Sequence, residues 1–85
     1  MNAEYIYDIF KTTEKNGDND LLIGMAKLKA AKPLPEGMDE RALGKFLGKH
    51  YHELVEAYAT RDLAVMEEAV LACEEQDAED AKEAE

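Results

Sequence analysis

The chain has 85 residues, of which 46% are hydrophobic and 35% charged, and its formal net charge at pH 7 is −10. This length limits it to one domain with a thin core, which a partner could complete. The single cysteine, Cys73, excludes an internal disulfide bond, and the apolar runs are too short to span a membrane. The first ten residues lack the basic and apolar regions of a secretory signal, so we expect a cytoplasmic protein.

The negative charge is concentrated at one end of the chain. Residues 62–85 carry ten acids and one base, whereas residues 27–49 carry six bases and three acids. The apolar residues after Cys73 are all alanines, and such an acidic segment of low complexity is typical of a solvated helix or a tail. We therefore predict a helical domain over residues 1–73 and an acidic C-terminal extension over 74–85, partly disordered or a frayed helix.

Apolar residues recur at helical spacing and predict four helices, over about 2–16, 20–32, 39–59 and 62–76. The first has one apolar face, formed by Tyr5, Ile6, Ile9, Phe10 and Thr13. Asn2 is its expected N-cap, and Gly17 is expected to end it. The second helix follows the capping residues Asp18, Asn19 and Asp20, has an apolar stripe of Leu21, Leu22, Met25 and Leu28, and ends before Pro33.

The third helix is expected to begin after the N-cap Asp39 and to be the longest of the domain. Its apolar pattern runs for four turns through Leu43, Phe46, Leu47, His50, Tyr51, Leu54, Val55 and Tyr58. In the fourth helix, Leu63, Met66, Val70 and Cys73 form a seam whose register continues onto Asp77 and Asp80. The predicted fold is all-α, a small three- to four-helix bundle with αα-hairpins and the acidic extension.

The acidic segment is the first candidate binding surface. The acids predicted to bind a partner are Glu67, Glu68, Glu74, Glu75, Asp77, Glu79 and Asp80. They repel one another and attract any basic surface, so they are candidates for docking a basic partner protein. A solvated tail that only keeps the protein soluble gives the same composition.

Two glycines one turn apart mark a second candidate surface on the third helix. Gly44 and Gly48 each disfavour the helix by about 1 kcal/mol relative to alanine, and together they leave a shallow groove. Gly44, Gly48, Tyr51 and Val55 form the predicted helix-packing or dimer face. Its partner is either the second helix, through Gly24, or another molecule, including a second copy in a homodimer.

The third candidate is a basic stripe on the same helix, formed by Arg41, Lys45 and Lys49 at a spacing of four. It favours a small phosphate-binding patch in a nucleic-acid-associated regulator, with the acidic tail as an autoinhibitor. The absence of an arginine cluster and the net negative charge make nucleic acid the less favoured partner. A stripe masked by the folded-back tail is a third interpretation.

We predict no cofactor, no metal site and no catalytic residues, and hence a protein that is not an enzyme. His50 and His52 point about 160° apart on a helix and cannot share a metal, so His50 is interpreted as a core histidine. Asp18 to Asp20 lack the glycine and bidentate acid of a calcium loop and are interpreted as caps. Cys73 has acidic neighbours, which raise a thiol pKa.

The favoured function is that of a small acidic helical module for protein–protein interaction. It would bind a partner protein through a helical face and the acidic segment, in the manner of an inhibitor, an anti-activator or an assembly accessory.

Overall fold

The computed structural model describes residues 1–83, and the side chains of residues 1–81. The helices are α1 (Ala3–Asn16), α2 (Leu21–Ala31), α3 (Glu40–Lys49), α4 (Tyr51–Ala59) and α5 (Leu63–Glu83). No strand occurs among residues 1–83, so the all-α prediction is confirmed. The structure has five helices where three or four were predicted, because the predicted third helix is divided in two.

The predicted helix ends agree with the capping contacts. The backbone N–H of Tyr5 donates to Asn2 Oδ1 at 2.9 Å, and Asp20 and Asp39 cap α2 and α3 in the same way. Gly17 ends α1 with φ of 69°, in the left-handed region that glycine adopts without the steric cost of a side chain. These contacts satisfy N–H and C=O groups that helix ends otherwise leave without partners.

The predicted helix over 39–59 is interrupted at His50, whose φ of −109° and ψ of 26° lie outside the helical region. Two local features account for the break. Gly48 weakens the helix just before it, and the His50 side chain lies in the core, where Nε2 is 2.8 Å from Oδ1 of Asp77 in α5. The interpretation of His50 as a core histidine is confirmed, since the residue is only 2% exposed.

The last helix was predicted to end near Gln76, but α5 continues to Glu83. Up to that residue, the predicted acidic extension is therefore part of α5 and not a separate frayed segment. The seam positions explain this difference. Met66, Val70 and Cys73 are buried, and the same register then brings Asp77 and Asp80 onto Lys49. Ion pairs thus continue the contact of α5 with the domain after the apolar side chains end. The last two residues of the predicted extension, 84 and 85, lie outside the described residues.

A single apolar core joins all five helices. Its fully buried large side chains are Tyr5, Ile6, Ile9, Leu43, Leu47, Leu54, Met66 and Val70. The predicted face of α1 is buried throughout, including Thr13. Aromatic rings join α1 to α4, since the Tyr58 ring lies 5.1 Å from that of Tyr7 and 5.3 Å from that of Phe10.

The close packing of α1 against α2 depends on Gly24. A Cβ atom at this position would lie 1.8 Å from Thr13 Oγ1, 2.9 Å from Thr13 Cβ and 3.2 Å from the Ile9 carbonyl oxygen. Thr13 is itself fixed, because its hydroxyl donates to that carbonyl at 2.7 Å. The predicted pairing of Gly24 with the third helix is therefore wrong, since Gly24 faces α1 instead.

The two helix glycines Gly24 and Gly48 give a matched pair of alanine substitutions. Gly24→Ala should lower the free energy of unfolding by about 1–3 kcal/mol, because α1 and α2 must separate. Gly48→Ala should raise it by up to about 1 kcal/mol, because a Cβ there meets nothing within 4 Å and alanine favours the helix. Urea denaturation followed by circular dichroism measures both values, and equal effects of the same sign would contradict this packing.

Candidate partner-binding surfaces

The largest exposed apolar side chains of α2 and α4 meet at a groove between α2 and α3. This α2–α3 groove has a volume of about 200 Å³, and its apolar lining consists of Leu21, Leu22, Gly44, Leu47, Gly48 and Tyr51. Leu22 is 50% exposed and Tyr51 is 47% exposed, whereas Leu47 is buried beneath them. The groove therefore combines two accessible apolar walls with a floor made partly of glycine.

The glycines of α3 give the groove its depth. A Cβ atom at Gly44 would touch Leu22 Cδ2 at 3.4 Å, an ordinary contact, and one at Gly48 would meet no atom within 4 Å. The space above Gly48 is thus open on the surface. Within the described chain, no contact requires a glycine at this position, although it weakens the helix by about 1 kcal/mol.

The predicted helix-packing face is brought together in part. Gly44, Gly48 and Tyr51 all line the α2–α3 groove. Val55 is half-buried and lines a neighbouring cleft with Phe10 and Tyr58. The binding role of these residues stays a prediction.

The exposure of Leu22 was not predicted, because this residue was assigned to the buried stripe of α2. Its neighbour Ile23 is 46% exposed as well, whereas Gly24 and Met25 are buried. The signal was present in the sequence: Leu21, Leu22 and Ile23 are consecutive, and three consecutive helical positions cannot share one narrow face.

Charged residues lie on the α3 side of the groove, and only some of them form contacts within the chain. Arg41 and Lys45 line an adjoining cleft, which shares Leu22 and Gly44 with the groove, and both are exposed. Two acids on this side have partners, since Glu40 is paired with Lys29 and Asp39 caps α3. Among the described side chains, no ion pair includes Arg41 or Lys45, so two unpaired bases lie beside the groove, and Asp20 brings one acid to its lining.

The predicted basic stripe is divided by the acidic helix. Lys49 Nζ lies 2.7 Å from Asp77 Oδ1 and 3.1 Å from Asp80 Oδ2. Arg41 and Lys45 stay exposed. The masked-stripe interpretation expected the acidic segment to cover all three basic residues. In the structure the segment folds back over Lys49 alone.

The seven predicted acidic residues separate into two groups. Asp77 and Asp80 face Lys49, and Glu74 Oε1 lies 2.6 Å from the backbone nitrogen of Met1. The outward-facing acids are Glu67, Glu68, Glu75 and Glu79. Together with Leu71, which is 60% exposed, these four glutamates form what we call the acidic face of α5. Leu71 was not among the predicted site residues.

The contact of Asp77 with Lys49 and His50 changes the titration of two of its members. The hydrogen bond from Lys49 holds the pKa of the Asp77 carboxyl below its ordinary value of 3.8, and the contact with His50 adds to the shift. The same bond to Asp77, followed by that to Asp80, raises the pKa of Lys49. Both shifts stabilise the charged forms, so this contact is an ion pair at neutral pH.

The described residues give little support for a cysteine nucleophile, a metal site or a membrane span. Burial raises the pKa of the Cys73 thiol, and Glu53 and Asp77 raise it further, whereas a cysteine nucleophile needs a lowered pKa. Within residues 1–83, no three His, Cys, Asp or Glu side chains are grouped so as to hold a metal ion. None of the described helices is long and apolar enough to cross a bilayer.

Comparisons of the chain with family models, with curated proteins and with solved structures found no match in any of the three.

Two substitutions at Asp77 separate its hydrogen bond from its charge. Asp77→Ala removes the acceptor of buried His50 and should lower the free energy of unfolding by about 1–3 kcal/mol. Asp77→Asn keeps an acceptor and should lower it less. Glu75→Ala, at an exposed position one turn from Leu71, is the matched control and should change it by about 0.5 kcal/mol or less. A loss for Glu75→Ala as large as that for Asp77→Ala would contradict the assignment.

The charge of Asp77 also predicts a pH dependence. Its pKa is lower in the folded protein than in the unfolded chain, so its contribution is present above pH 3.8 and is lost as the pH falls through the folded pKa. The difference in free energy of unfolding between the wild type and Asp77→Asn should therefore shrink from about pH 5 to about pH 2. Urea titrations across this range measure it, and a constant difference would show that the Asp77 charge is not involved.

Proposed function

We propose that this protein is a small helical module that binds another protein, and so acts as an inhibitor, an anti-activator or an assembly accessory in the cytoplasm. The observation that carries this proposal is the α2–α3 groove. It exposes Leu22 and Tyr51 beside the open space above Gly48. Contiguous exposed apolar surface of this kind marks interaction sites in small proteins.

The dimensions of the groove favour a helical ligand. Two helices pack closely where small residues let one backbone approach the other, and Gly44 and Gly48 are spaced by one turn for such a contact. Aromatic residues such as Tyr51 are enriched at protein interfaces. We therefore assign an amphipathic helix of the partner to the groove, with an apolar residue above Gly48.

The acidic face of α5 supports a basic partner surface. Its four glutamates are exposed, and their field accelerates association with an oppositely charged protein. The proposed mechanism thus assigns steering to the acidic face and most of the binding free energy to the groove, because exposed charge pairs contribute at most about 1 kcal/mol each.

Affinity capture from an extract of the source organism tests this proposal with three variants. Leu22→Gln removes an apolar wall of the groove, and Ala30→Gln places the same side chain at an exposed position of the same helix. The triple change of Glu67, Glu68 and Glu75 to glutamine removes three of the four negative charges of the acidic face. We expect the amount of a specific captured protein to fall about tenfold with Leu22→Gln, which corresponds to about 1.4 kcal/mol of binding free energy. With Ala30→Gln the amount should not change.

The matched control for the acidic face is the change of Glu36, Glu53 and Glu56 to glutamine, which alters the net charge equally outside α5. Capture that responds equally to both triple variants would contradict a role for this face. Deletion of residues 74–85 is a poor test, because it also removes the contacts of Asp77 and Asp80. If the captured material is nucleic acid, and if Arg41→Ala and Lys45→Ala abolish capture, the alternative of a nucleic-acid-associated regulator replaces this proposal.

A further inference from the structure

We propose that the α2–α3 groove binds α5 of a second copy of this chain, so that the protein associates with itself head to tail. The inference goes beyond the proposed function, because it names an occupant of the groove that is available without any other protein. It rests on two surfaces of the same chain that match in apolar character, in the spacing of their charges and in the sign of those charges.

The groove supplies one half of the match. Its open space above Gly48 and the exposed walls Leu22 and Tyr51 accept an apolar side chain. Arg41 and Lys45 line the adjoining cleft, which shares Leu22 and Gly44 with the groove, and no ion pair among the described side chains engages them, whereas Asp20 lines the groove itself. The groove therefore fits an apolar residue that has acids close by on the same helix.

The acidic face of α5 supplies the other half. Leu71 is 60% exposed in the middle of a long helix, and it borders a shallow cleft that also includes Glu67. Glu67 and Glu75 lie one turn before and one turn after it, on the same side of the helix. Leu71 is thus an apolar residue with acids close by on the same helix. Because Arg41 and Lys45 both precede Gly48 on α3, only the acids on one side of Leu71 can face them.

The spacing of the charges agrees as well. Arg41 and Lys45 are four residues apart on α3, which corresponds to about 6 Å along the helix. Glu75 and Glu79 have the same separation on α5. When Leu71 of one copy lies above Gly48 of another, these two pairs of opposite charges can face each other along the two helices.

The net charge of −10 opposes association only over long distances. Four of the six bases among residues 27–49 are paired with acids of the same chain. The other two, Arg41 and Lys45, are opposite in sign to the glutamates of the acidic face. At an ionic strength of 0.15 M, repulsion between distant charges is screened beyond about 8 Å. The local attraction between groove and acidic face is shorter in range and persists.

Each copy has one groove and one acidic face, so the contact is heterologous, and two copies joined by one such contact still offer one free groove and one free acidic face. A head-to-tail contact adds further copies unless a ring closes. We therefore expect the average mass to rise continuously with concentration, rather than to reach a plateau at the dimer.

Two variants with one blocked surface each test this arrangement by analytical ultracentrifugation. Gly48→Gln fills the groove and leaves the acidic face intact, whereas Leu71→Gln removes the apolar contact of the acidic face and leaves the groove intact. Each variant alone should stay monomeric at concentrations where the wild type associates. Their equimolar mixture should form a 1:1 dimer and nothing larger, because only one productive contact remains.

The controls exclude loss of folding and a different interface. Both variants should retain the helical circular dichroism and the cooperative unfolding of the wild type, and Ala30→Gln should associate as the wild type does. A wild type that stays monomeric up to millimolar concentration overturns the inference, as does a mixture that stays monomeric. Capture of a partner protein that depends on Leu22 would still support the proposed function in either case, so the two failures can be told apart.

Discussion

The buried imidazole of His50 and the carboxylate of Asp77 join the break between α3 and α4 to the part of α5 that lies beyond its last buried apolar residue. His50 lies at the break between α3 and α4, and Asp77 lies one turn beyond Cys73, the last buried apolar residue of α5. Burying a histidine nitrogen without a partner would cost about 1–3 kcal/mol. The contact at 2.8 Å therefore lies where the long predicted helix is broken, and it holds α5 to the domain beyond Cys73.

Lys49 extends this contact to the surface. It pairs with both Asp77 and Asp80, which are three residues apart and so lie on one side of α5. The acids of the C-terminal segment therefore have two different environments. One side of α5 is occupied by contacts within the chain, and only the opposite side, around Leu71, is free to meet another molecule.

Local rules predicted much of the fold. The caps Asn2, Asp20 and Asp39 and the ending at Gly17 follow from short-range hydrogen bonding and backbone preference, which neighbouring residues fix. The buried face of α1 follows from helical periodicity. The break at His50 could not be predicted, because the pattern from Leu43 to Tyr58 is continuous and its interruption depends on a residue 27 positions away.

The candidate surfaces were predicted less completely, for a related reason. Gly44, Gly48 and Tyr51 lie close together on successive turns, so their place in one groove follows from short-range helical spacing. The opposite wall, Leu22, depends on how α2 is rotated against α1, and this rotation is set by the contact of Gly24 with Thr13. Charge composition identified the acidic segment as one unit, whereas the tertiary structure separates Asp77 and Asp80 from the outward-facing glutamates.

The two kinds of contact along α5 give this helix an uneven resistance to local opening. From Met66 to Cys73 it is held by buried apolar side chains, whose exposure requires the core to open. From Asp77 onward it is held by partly exposed ion pairs, which salt weakens. Backbone amides in the last turns should therefore exchange with solvent through fraying that leaves the core closed, and those near Val70 only when the domain unfolds. The helix can thus shorten from its C-terminal end while the remainder of the protein stays folded.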